Sequence, residues 1–356
     1  MSANSEAELA ANQSSLGFRT RVLSSLAALC GVVLGVSAFV VTQMVTKEYF
    51  EPILEICGRG AAAVSESSLH VYEPLLGGPF VCLITQFLLA LVQRPAGVLA
   101  WGIIAGIALP AVTLMTTEAG RGGSRGLLKY PTPLTVLAQV LGISVIFPAA
   151  WVPAYVYGRG SASAAVAPSR AYASAALSLP FAALTVALFS LDVETRAWTL
   201  VAGALGGPLA AIGPLFLWKL EPPQPTPETV AAGANALKRA YALLGVVCFV
   251  GWVINVRLAA QAFGGLEDGG LAKAWRALWT EAHPAVAFMT IDAAVLYASL
   301  VLAIFVDSPI EAALAVVGLP LIGPGAACAA ALAAREAVRA AEAATSTSVA
   351  PQKKEQ

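Results

Sequence analysis

The sequence predicts an all-α protein, a polytopic bundle of eight or nine transmembrane helices. Two observations carry that expectation. Of 356 residues, 58% are hydrophobic and only 12% are charged, about half the charge of an ordinary soluble domain. The apolar residues also fall in runs of about 20, enough to cross a hydrocarbon layer of about 30 Å at about 1.5 Å per residue. This composition excludes a cytosolic enzyme and a secreted disulfide scaffold. The 21 basic and 21 acidic residues cancel, so no global field draws a polyanion and no nucleic-acid partner is expected. Membrane lipid is the expected surrounding.

Residues 1–21 form a polar segment ending near the basic residues Arg19 and Arg21. The first apolar run, 22–45, exceeds the core of a cleavable signal peptide and has no convincing cleavage site after it, so it reads as a signal anchor. Eight further runs follow at 75–92, 96–116, 132–157, 171–191, 197–218, 240–262, 284–306 and 309–334. The 75–92 run is the shortest, which is why the count is eight or nine. With nine crossings, the excess of Lys and Arg places the C-terminus in the cytosol and the N-terminus outside. Trp101, Trp198, Trp218, Tyr130 and Tyr157 stand near run ends, as residues of an interfacial belt do.

Residues 22–334 therefore form one transmembrane domain with short connections. The loop 219–238 holds Pro222, Pro223, Pro225 and Pro227 and reads as an extended linker. The 158–170 stretch, rich in Ser, Ala and Gly, reads as mobile. Within the loop 263–283, Leu271, Trp275, Leu278 and Trp279 share a helical face opposite Lys273, Arg276 and Glu281, the pattern of a helix lying in the interface. Residues 335–356 read as a polar tail, disordered beyond Ala344. The five cysteines show no CxxC or Cys/His spacing and read as small packing residues.

Pro110, Pro148, Pro153, Pro180, Pro208, Pro214, Pro320 and Pro324 interrupt the runs. Broken helices are tolerated at membrane depth only where neighbours or a cavity satisfy the freed carbonyls. A packed bundle around a pocket or path is expected. Gly77-Gly78-Pro79-Phe80 and Gly206-Gly207-Pro208-Leu209 echo one another, as in a repeat-built chain.

Deep polar side chains are the candidates for chemistry, because each costs free energy in a membrane. Asp292 stands eight residues after Pro284, about 12 Å into its run. A carboxyl isolated there favours its neutral form and can serve as a Brønsted acid. Glu118 and Arg121 are three apart and can pair on one helical face, favouring an ionised, orienting carboxylate. Asp192, Glu194, Asp307 and Glu311 at run ends read as solvated or capping groups. Gln86 and Gln139 can hydrogen-bond a neighbouring helix or a ligand. Trp101, Trp151, Tyr155, Trp252, Phe288 and Tyr297 are packing residues or, where they face one cavity, π faces that stabilise a cation. Phe288 lies one turn from Asp292. No acid-rich magnesium-diphosphate pair is present, and no GxSxG, HExxH, P-loop or dinucleotide motif stands in a strand-to-helix context; no metal or cofactor is expected.

The stretch from Pro131 through Gln139 and Gly142 to Pro148 resembles the integral-membrane cyclases of fungal meroterpenoid pathways, of the ascochlorin, ascofuranone and macrophorin type. Pro110 with Glu118-Ala-Gly-Arg121 upstream is similar in layout, as are Asp292, the Asp307-Ser-Pro turn and the last run downstream. The sequence departs at Ala149 and Ala150, where the family pattern has Leu-Tyr. The resemblance implies a helical enzyme of the endoplasmic reticulum that cyclises the prenyl chain of an aromatic or quinone substrate by protonating a terminal epoxide or alkene. On that basis Asp292 is the acid, with Glu118 as the second catalytic carboxylate. Arg121, Gln139, Gln86, Trp101, Trp151, Tyr155 and Phe288 form the substrate-binding set, and no cofactor is required. A proton-coupled transporter of a small hydrophobic or amphipathic molecule is the alternative, with Asp292 as proton relay. A non-catalytic membrane scaffold or receptor is a third reading.

Overall fold

Proline sets the start of most helices. It occupies the first helical position where its missing N–H costs nothing, at Pro79, Pro95, Pro131, Pro227, Pro284 and Pro309. The computed structural model describes residues 3–60, 78–159, 164–190, 217, 220, 225–265, 267–280 and 282–349. Among them there is no strand. The helices are α1 (Ala3–Gly58), α2 (Pro79–Val92), α3 (Pro95–Ala119), α4 (Pro131–Leu141), α5 (Ile143–Gly158), α6 (Pro168–Ser190), α7 (Pro227–Ala262), α8 (Gly270–Trp279), α9 (Pro284–Asp307), α10 (Pro309–Ile322) and α11 (Pro324–Val349).

Four helices are long and apolar enough to cross a membrane: α1 from Val22, α3, α7 and α9. Their outward faces carry exposed Val33, Phe39, Val246 and Phe249, the surface of a protein solvated by lipid rather than water. The chain is a membrane protein. The ends of the crossing helices define a first face, where α9 begins, and a second face, where it ends.

Two of the predicted runs turn back instead of crossing. α4 leaves the second face and stops at Gly142, whose backbone (φ 91, ψ 144) is open to glycine alone. α5 then returns, so that the Arg125 N–H donates to the Gly158 carbonyl at 2.9 Å. A π-helical turn at Phe147–Trp151, with Pro148 inside it, widens α5 on the way. The run at 309–334 behaves likewise. α10 stops at Gly323 (φ 83, ψ 158), and α11 returns until Arg335 meets Asp307 at the end of α9. Hydropathy registers an apolar hairpin, whose outer arms α4 and α10 are largely exposed, as it registers a span, so the expected eight or nine crossings overstated what these two runs do.

These parts form two copies of one unit. α1 to α5 and α7 to α11 each comprise a long helix toward the first face, a short helix there, a span back, and a hairpin reaching in from the second face. α2 packs on α1, α3 and α9, and α8 correspondingly packs on α7, α9 and α3. α1 lies against α5 and α9 as α7 lies against α11 and α3. The copies run in the same direction, a parallel repeat about an axis along the membrane normal. Close approach within a copy depends on small residues: a Cβ on Gly31 would stand 2.6 Å from the Pro148 carbonyl oxygen. The Gly-Gly-Pro echo is not this repeat, and its 206–209 copy lies outside the described residues.

Other expectations change. The 75–92 run yields α2, whose 14 residues reach only about 21 Å. The 197–218 run lies outside the described residues, save Leu217. The loop 219–238 is largely helix, since α7 begins at Pro227. Residues 335–349 are not a tail but the last turns of α11, where Arg335, Glu336, Ala340 and Ala343 are buried, and residues 350–356 lie outside the described set. α1 starts toward the second face and α11 ends there, so the two ends of the described chain share a side, against the opposite sides expected. In α8, Leu271, Trp275 and Trp279 face outward in one stripe while Leu278 joins Ala274 in the core. Cys57 and Cys82 are not packing residues; they form a disulfide tying the end of α1 to α2.

Candidate active site

The candidate residues separate into two groups along α9. The first surrounds Asp292, which is buried about a third of the way along the helix. The turn at Gly142 brings the start of α5 against it: the Ser144 hydroxyl donates to Asp292 Oδ1, and the Ser144 main-chain N–H donates to the same carboxyl. A Cβ at Gly142 would stand 3.5 Å from Asp292 Oδ1 and 3.8 Å from Phe288 Cζ, ordinary contact distances, so it is the backbone of this turn that requires glycine. Among the described residues no basic side chain pairs with Asp292.

Aromatic rings continue from this acid toward the first face. Phe288, one turn above Asp292, meets Phe87 edge-on at 5.4 Å between centroids. Phe87 meets Phe50 at 5.8 Å, and Phe50 meets Tyr49 at 5.2 Å. Tyr49 ends the series against His283 at 4.7 Å. Gln86 is buried on α2 beside Phe87. Trp101 packs on Leu88 and Leu89, and its buried Nε1 has no hydrogen-bond partner among the described residues.

The second group is an ion cluster on the second face. Arg121 donates to Glu118 from Nε at 2.9 Å and from Nη2 at 3.0 Å, and from Nη2 to Glu336 at 3.1 Å. Arg335 reaches Glu118 at 3.0 Å, Glu336 at 2.8 Å and Asp307 at 2.8 Å. Arg339 bonds Glu336 and Asp307, and Arg159 also pairs with Asp307. The Tyr155 hydroxyl donates to Asp307 and accepts from Arg335. Burial works against the charge on Arg121, but Glu118 and Glu336 outweigh it and raise its affinity for the proton. Phe147, Trp151 and Tyr155 stack along α5 at 4.6 and 5.1 Å, and Arg159 caps the stack 5.7 Å above Tyr155.

The predicted pair Glu118 and Arg121 is thus present, within a far larger network. Asp307 is not a solvated end group but is buried in that network. Fifteen residues of α9 separate Asp292 from Asp307, about 22 Å of helix, so Glu118, Arg121 and Tyr155 are not brought to the acid, and Trp151 stands between the two groups on α5. Gln139 is exposed on the outer side of α4 and joins neither group. Sequence reasoning missed Ser144, whose signal was its place two residues after a glycine inside a proline-bounded run. It also missed Arg335, Glu336 and Arg339, which were read as tail.

No family profile, curated protein or solved structure matches this chain.

Proposed function

We propose that the protein is a membrane terpene cyclase acting on a prenylated aromatic substrate, with Asp292 as the acid. The observation that supports this best is a buried carboxyl, without a basic partner among the described residues, held by two donors of Ser144 beside the Phe288 ring. Asp292 gives its proton to the oxygen of a terminal epoxide, whose C–O bond opens, or to the end of a terminal alkene. The next alkene of the chain attacks the cationic carbon and closes a ring. Loss of a proton from carbon ends the sequence, so the overall change is an isomerisation. The Ser144 donors stabilise the carboxylate left behind. Phe288 and Phe87 offer π faces to the cation, and the surrounding apolar helices keep water from capturing it. A lipid-soluble substrate fits an integral protein of the endoplasmic reticulum, where such chains are assembled.

The parallel repeat with two inward hairpins favours a second reading, a transporter in which Asp292 relays a proton. Microsomes carrying wild type or Asp292→Asn, incubated with a farnesylated aromatic epoxide, separate the two. Cyclisation by wild type and none by the variant is expected. Full cyclisation by Asp292→Asn would remove the acid assignment, and no conversion by wild type would favour transport.

A further inference from the structure

The aromatic series from Asp292 ends at a polar cluster on the first face that the acid chemistry does not use. Arg94 ends the connection between α2 and α3, half-buried. One of its guanidinium nitrogens donates to the Ala90 carbonyl at 2.6 Å, and among the described residues no carboxylate pairs with it. Arg94 is near enough to act electrostatically on both Tyr49 and His283. Among the described residues its positive charge therefore has no carboxylate partner at the end of this ring series.

Two further features favour an anion there. Arg94 and His283 are the residues preceding the first turns of α3 and α9. These two helices run in parallel and touch, so their positive dipole ends lie at the same face. His283 Nδ1 accepts from the Ala285 N–H at 3.3 Å, which leaves the proton of the neutral ring on Nε2 as a donor. Burial and the Arg94 charge both lower the proton affinity of His283 and keep the ring neutral.

The length is suitable for an extended amphipath. Nine residues of α9 separate His283 from Asp292, about 14 Å, on the scale of a farnesyl chain. We infer that Arg94, His283 and Tyr49 bind the carboxylate of an aromatic acid whose prenyl chain runs past Phe50, Phe87 and Phe288 to Asp292. The tail placement rests on the cyclase reading; the anion site does not.

Equilibrium binding to the full-length protein in phosphatidylcholine nanodiscs tests this, with 3-farnesyl-4-hydroxybenzoic acid and its methyl ester as probes. Wild type binds the acid at least tenfold more tightly than the ester. Arg94→Gln abolishes that preference and leaves ester binding unchanged, while Arg94→Lys keeps most of it. Equal binding of acid and ester by wild type overturns the inference. So does an Arg94→Gln variant that loses both probes alike, since that marks a structural role. A phosphate of anionic lipid is the other source of negative charge, and loss of the acid preference in phosphatidylserine discs would assign the site to lipid instead. Asp292→Asn keeps the acid preference. A protein that shows this preference but cyclises nothing has lost the cyclase reading and kept the anion site.

Discussion

Arg335 Nη2 donates to Glu118 Oε1 at 3.0 Å across 217 residues of sequence, joining the hairpin of the second copy to the span of the first. Arg159, which follows the hairpin of the first copy, pairs with Asp307 at the end of the span of the second. Each copy thus supplies an arginine to the other's span-end carboxylate. Removing one partner strands a buried charge, a loss of about 3–5 kcal/mol. Arg335→Met should lower the thermal midpoint in detergent sharply, and Glu118→Gln added to it should recover part of the loss. A double variant as unstable as the sum of the singles would show that the two residues do not act as a pair.

The same cluster sets a pH dependence. Burial alone would raise Glu336, but Arg121, Arg335 and Arg339 outweigh it and hold Glu336 below the usual carboxylate range. A carboxyl depressed in the folded state contributes stability above its unfolded value, about 4.3, and that contribution disappears as pH falls through the folded value. The thermal midpoint should stay level from neutral pH to about 5 and drop below about 4. Glu336→Gln should lower the plateau and flatten the drop, which circular dichroism in detergent can follow.

Both hairpin tips require glycine for different reasons. At Gly142 an added Cβ meets nothing nearer than 3.5 Å, so Gly142→Ala carries backbone strain alone, about 1–3 kcal/mol. At Gly323 the same atom would lie 2.4 Å from Trp252 Cγ, so strain and collision add. Gly323→Ala should therefore be the less stable variant, and Trp252→Ala should partly rescue it. Equal midpoints for the two alanine variants would contradict this ordering.

Ser144→Ala leaves Asp292 without its hydroxyl donor in a fold otherwise intact. Cyclisation should slow by about tenfold at an unchanged thermal midpoint, and Ser144→Thr should restore most of the rate. A rate equal to wild type for Ser144→Ala would mean that the hydroxyl does not assist proton transfer.

A disulfide joins α1 to α2, and because such bonds persist in oxidising compartments, the first face is expected to lie on an oxidising side of the membrane. In intact microsomes prepared without reductant, a thiol reagent should not label Cys57 or Cys82, and Cys57→Ser should expose Cys82. A C-terminal tag should be reached by protease from the cytosolic side, since α11 ends at the second face. Protection of that tag would reverse the orientation.

What the sequence made legible was local. The depth of Asp292 follows from its distance to Pro284, and Glu118 with Arg121 from a three-residue spacing. The donor to Asp292 stands 148 residues away, and only the turn at Gly142 brings it near. Arg335, Glu336 and Arg339 look like a solvated tail because charge after an apolar run usually is one; their partners lie on α3 and α9. A run that turns back has the composition of one that crosses, and the mid-run glycine before Ile143 or Pro324 was the mark of the difference. Cys57 and Cys82 carry no spacing signal, since pairing depends on where α1 ends in space.

The crossed arginines bear on how such a chain arises. Glu118 and Asp307 are also bonded from within their own copies, by Arg121 and by Arg335 with Arg339, so a single copy keeps part of the cluster, and a two-fold dimer of that copy would supply the crossed pairs. The present chain has the layout such a dimer leaves once its genes fuse, with α6 in the connection. Fusion also frees the two copies to diverge. Eight residues after Pro284 stands Asp292, and eight after Pro95 stands Ile103. A symmetric dimer carrying the acid would hold it twice; here the first copy has no carboxyl at the matching position, so on the cyclase reading one acid serves the pair of units.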